Sequence, residues 1–98
     1  MEEQYVISIK VRKNINEDKS EGWLYAGSYY NKHYKKEDPC WKFTQNMGIN
    51  FKSIEEAKEW FKKSKSYLLG SYYKDNYDLD IETLGIWRVL YMKVESLE

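Results

Sequence analysis

The chain has 98 residues, 33% of them charged, with 16 Lys+Arg balanced by 16 Asp+Glu. That length fits a single domain, 1–98, with one core, and zero formal charge excludes both a strongly basic nucleic-acid coat and a strongly acidic DNA mimic. Cys40 is the one cysteine, the start is acidic, and Arg88 interrupts the most apolar run, so neither a disulfide, a signal peptide nor a membrane span is expected in what reads as a soluble cytoplasmic protein.

Tyr5, Ile7, Ile9 and Val11 alternate with Val6, Ser8, Lys10 and Arg12, the period-two pattern of a strand. A polar connection over 14–22 leads to a second alternating run, with Trp23, Tyr25, Gly27 and Tyr29 on one side and Leu24, Ala26, Ser28 and Tyr30 on the other. The two runs are expected to pair as an antiparallel hairpin. Residues 31–39 read as a loop with Asp38-Pro39 as its turn signal, and 41–44 as a short third strand.

Ser53-Ile54-Glu55-Glu56 is a capping box: Ser53 accepts from the Glu56 N–H, and the Glu56 carboxylate reaches back to the Ser53 N–H. The spacing predicts a helix over 54–69, with Ile54, Ala57, Phe61, Ser64 and Leu68 on one face, Trp60 and Tyr67 widening it, and Gly70 as the stop. Residues 71–84 are polar and lack periodicity, and 86–94 are apolar on both parities, as in a central strand or one whose second face is covered. The order β-β-β-α-β implies a two-layer α+β fold, an antiparallel sheet of about four strands packed on one amphipathic helix.

The run Cys40-Trp41-Lys42-Phe43-Thr44 and the helix start Phe51-Lys52-Ser53-Ile54-Glu55-Glu56-Ala57 come after Tyr5-Val6-Ile7 and Trp23-Leu24-Tyr25, and Trp87 follows them. This arrangement resembles small proteins of phages and mobile elements, in which a YVI strand and a W-x-Y strand precede an F-x-S-x-x-E-A helix start and an aromatic strand closes the domain. The resemblance implies a fold and a genomic setting. The stretch between Gly70 and Gly85 departs from it as a long insertion.

Four Trp, ten Tyr and three Phe are more ring surface than one small core takes up, which points to a partner or a second subunit. The expected contact residues are Tyr29, Tyr30 and Tyr34 together with Tyr72, Tyr73 and Tyr77, assisted by Lys35, Lys36, Asp75 and Asp78. A homodimer through Trp87, Val89 and Tyr91 is a further expectation.

Chemistry is sparse. His33, Cys40 and Asp38 flank one loop, but a lone cysteine beside a strand is ordinarily an inert filler. Asp75, Asp78, Asp80 and Glu82, with Asn76, lack the spacing of a calcium loop. The sequence contains no P-loop, HExxH or CxxC, so no enzyme, cofactor or metal is expected. The leading expectation is a non-enzymatic protein of phage type that binds another protein stoichiometrically, for example as an inhibitor of a host defence (CRISPR-type) system. The alternative is a nucleic-acid-binding accessory protein using the 32–36 cluster (Lys32, His33, Tyr34, Lys35, Lys36) and the helix lysines Lys58, Lys62, Lys63 and Lys65.

Overall fold

A computed structural model describes residues 3–14, 22–89 and 92–97. In chain order it contains β1 (Tyr5–Asn14), β2 (Gly22–Asn31), β3 (Lys36–Lys42), a 3-10 turn (Gln45–Met47), α1 (Ile54–Leu68), α2 (Ser71–Asn76), β4 (Tyr77–Arg88) and β5 (Met92–Ser96). The five strands form one antiparallel sheet in the order β3-β2-β1-β4-β5. The fold is α+β, as the sequence implies, but with five strands and two helices in place of four and one.

The alternation of β1 explains its central position. Ile7 and Ile9 are fully buried in the core beneath α1, and Val6 and Ser8, which point the other way, are also buried. From α1 the core receives Ala57, Phe61 and Leu68, the face that the 3.6 period marks, and Phe51 fills the space beside Trp60 with ring centroids 5.7 Å apart. Tyr67, expected to widen that face, is instead 52% exposed. Helix capping is as expected on one side, with Ser53 Oγ accepting from the Glu56 N–H at 3.1 Å. The Glu56 carboxylate, however, takes the N–H of Lys52 and not that of Ser53. At the other end the Trp41 indole N–H donates to the Leu68 carbonyl at 2.9 Å, fixing the last turn of α1 to β3.

Three boundary expectations are corrected. Asp38-Pro39 is not a turn: it lies inside β3, an edge strand, where a missing N–H costs no ladder bond. The turn is 32–35, where Asn31 Oδ1 accepts from the N–H groups of His33 and Tyr34 and Lys35 takes a positive φ of 52°. The stretch 71–84 is not an aperiodic loop but α2 and most of β4, and 86–94 is not one strand but the end of β4 and the beginning of β5.

An irregularity in β4 accounts for the missing periodicity. Ser8 faces Gly85 and Lys10 faces Asp80, so the single residue Ile9 is spanned by residues 81–84 of β4. Within this bulge Thr83 Oγ1 accepts from the Lys10 N–H at 2.8 Å and donates to the Asp80 carbonyl, replacing lost ladder bonds. The odd number of extra residues inverts the phase: Tyr77 and Leu79 pack on the core before the bulge, Leu84 and Ile86 after it.

The connection over 15–21 lies outside the described residues, as do Leu90 and Tyr91. Among the described residues no helix is long and apolar enough to cross a membrane.

Candidate protein-binding site

The aromatic surplus resolves into two surfaces. The first is a hollow of about 370 Å³ lined by Tyr29 of β2, Pro39 of β3, Tyr67 of α1, and Tyr72 and Tyr73 of α2. Tyr73 holds it together. Its hydroxyl accepts the outward-facing N–H of Trp41 at 3.1 Å, and its ring meets Tyr72 edge to face at 5.1 Å and Tyr77 at 6.0 Å. Burial pushes the Tyr73 hydroxyl pKa up, so it stays a neutral donor and acceptor. Against this anchor, Tyr29, Tyr67 and Tyr72 are exposed.

The structure therefore brings together Tyr29, Tyr72 and Tyr73 from the expected contact set. Tyr67 and Pro39 join them, although the sequence reading placed one on the core face and the other in a turn. Tyr30, Tyr34, Lys35 and Lys36 lie at the end of the β2–β3 hairpin, where Tyr34 packs edge to face on His33 at 4.6 Å and the Lys36 ammonium lies 5.9 Å from the Tyr34 ring. They do not line the hollow. Tyr77 packs on the core, and with Asp78, Leu69, Lys74, Leu79 and Ile81 it borders a separate recess of about 190 Å³. Asp78 is held by Arg12 at 3.4 Å, and Asp75 is exposed on α2.

The second surface is the sheet face opposite α1. A groove of about 280 Å³ there is lined by Val6, Ser8, Trp23, Tyr25, Gln45, Trp87, Arg88 and Val89. Trp23 and Trp87 meet edge to face with centroids 5.0 Å apart at an interplanar angle of 73°, and the Trp87 indole N–H donates to the Thr83 carbonyl. Their strands are separated by β1, and the small residues Ser8 and Gly85 that face each other between them leave room for the two indoles. Trp87 and Val89 match the expected second apolar face, whereas Tyr91 lies outside the described residues.

The remaining candidates do not assemble. Cys40 is buried, and burial pushes its thiol pKa up, with Lys42 opposing more weakly, which disfavours the thiolate that nucleophilic chemistry requires. The Asp38 carboxylate is taken by the Asn31 amide at 2.7 Å and by Lys36 at 3.7 Å. Among the described residues no group of three or more His, Cys, Asp and Glu side chains is placed to hold a metal ion.

Comparison of the chain with protein-family models, with curated proteins and with solved structures finds no match.

Proposed function

We propose that this chain is a stoichiometric protein-binding protein and that the tyrosine hollow seats a side chain of its partner. One observation carries this reading: four tyrosines from three separate elements converge around one concavity, and three of them are exposed. Tyrosine offers wide contact area, a hydroxyl, and only two side-chain torsions to immobilise, which is why it dominates adaptable binding surfaces. The packing of Tyr73 on Tyr72 and Tyr77 preorganises the wall, reducing the ordering cost of association. The resemblance to phage and mobile-element proteins supports an intracellular setting, and an inhibitor of a host defence complex of CRISPR type is its most concrete form.

The test begins with capture of the partner from a host lysate and continues with calorimetry on the purified pair. Combined substitution Tyr29→Ala, Tyr67→Ala and Tyr72→Ala removes exposed rings and leaves the Tyr73 anchor in place. Loss of about 2 kcal/mol or more of binding free energy is expected, the level of an interface hot spot. Unchanged affinity in a variant with unaltered circular dichroism rejects the hollow as the contact site.

A further inference from the structure

The open sheet face combines rings and cations in a repeated arrangement that the tyrosine hollow lacks. Across the ladders Lys10 stands directly opposite Trp23, Lys42 opposite Tyr25 and Lys93 opposite Trp87. Directly opposed residues in a sheet share a face, so each of the three rings has a lysine beside it. The stem of Lys42 passes over Gly27 and that of Lys93 over Gly85, and the Lys93 ammonium donates to the Glu82 carbonyl at 2.8 Å. Among the described residues none of the three lysines has a carboxylate within ion-pairing distance. Asp78 is engaged by Arg12 and Asp38 by Lys36, while Asp80 faces Lys10 across the ladder without forming an ion pair.

We infer that this face binds single-stranded DNA, with bases stacking on Trp23, Tyr25 and Trp87 and phosphates meeting Lys10, Lys42 and Lys93. Charge complementarity selects the occupant. A second copy laid face to face would bring one lysine rim against another, three ammonium groups against the single unpaired carboxylate of Asp80, which costs free energy. A strand of phosphates satisfies all three ammonium groups while its bases cover the apolar floor. That floor is suited to stacking, and two of its polar groups are already engaged: the Ser8 hydroxyl donates to the Leu24 carbonyl at 2.7 Å and the Trp87 N–H to the Thr83 carbonyl. Neither of those two groups is left to select a ribose 2′-hydroxyl. The site is separate from the 32–36 cluster and from the helix lysines, since α1 covers the other side of the sheet.

The experiment is titration of the full chain with a labelled oligo(dT) of about 15 nucleotides, long enough for one small site, following anisotropy and Trp fluorescence at several salt concentrations. Binding at low salt with quenched Trp emission is expected, and log K should fall against log salt with a slope of about −2 for three phosphates neutralised. The double variant Lys42→Gln/Lys93→Gln should flatten the slope to about −0.7. Trp23→Ala should weaken binding about tenfold with little change in slope. The triple tyrosine variant should bind oligo(dT) like the parent chain, which separates this proposal from the protein-binding one. The proposal is overturned by absence of binding at low salt or by a slope indifferent to the lysine substitutions. Tighter binding of poly-glutamate or of oligo(rU) than of oligo(dT) also overturns it, as does a dimer that buries Trp23 and excludes the oligonucleotide.

Discussion

Gly85 shows how closely a single position is specified. It sits opposite Ser8 beneath the lysine stem on the open face, and a Cβ built there meets the Glu95 carbonyl oxygen and the Lys93 side chain. The lysine can move, but the carbonyl belongs to the β5 backbone. Gly85→Ala is expected to lower stability by about 1–3 kcal/mol, the usual range for overpacking, as urea denaturation would measure. Nothing in the sequence marks Gly85 as crowded, because the clash comes from a strand that the apolar run 86–94 conceals. The tyrosines were partly legible: composition marks Tyr29, Tyr72 and Tyr73 as candidates, yet their meeting at Pro39 requires knowing that Pro39 lies in a strand. Tyr67 was misplaced because the helical period puts it beside the core face, and only the exposure in the folded chain separates it.

Among the elements, α1 was the most readable, since its cap, charge bias and apolar stripe all agree. Ser53→Ala should cost about 1 kcal/mol and lower the thermal midpoint by several degrees, detectable by circular dichroism at 222 nm. β1 and β2 were equally clear from alternation. β3 and β4 were not, for two physical reasons. Edge position lets β3 contain Pro39 without losing a ladder bond, so the residue that ordinarily marks a turn is silent there. In β4 the Thr83-stabilised bulge breaks the period midway, so neither half is long enough to declare itself as one strand. The lysine–ring pairs on the open face were invisible because they depend on the pairing register, which alternation alone does not reveal.

At the scale of the whole molecule, α1 and the sheet are joined by the core, by the Trp41–Leu68 hydrogen bond and by the Lys58–Glu95 ion pair at 2.7 Å. That pair is substantially exposed and contributes at most about 1 kcal/mol. The alkaline limb of the stability profile depends on groups whose burial favours their neutral forms. Tyr73 and Cys40 both have pKa values raised above their ordinary values, chiefly by desolvation. A raised pKa in the folded chain means that the unfolded chain releases its proton first. The stability associated with each group is therefore intact below its unfolded value, about 8.5 for Cys and 10 for Tyr, and declines as pH rises from there through the folded pKa. Denaturation midpoints should be level near neutrality with respect to these groups and fall above about pH 9, and Cys40→Ser should remove the lower part of that fall. An unchanged profile in that variant rejects the assignment to Cys40.

Among the described residues, the β3 margin of the sheet bears on how copies of this chain meet. Along β3 the positions that turn toward solvent include Pro39, which has nothing to donate, and Trp41, whose amide is already held by the Tyr73 hydroxyl. A stray strand approaching that side finds two successive outward positions without a free donor. The same phenol thus stands guard over solubility while its neighbours Tyr29 and Tyr72 stay available for company, so the molecule can be sticky in one hollow without polymerising along that border.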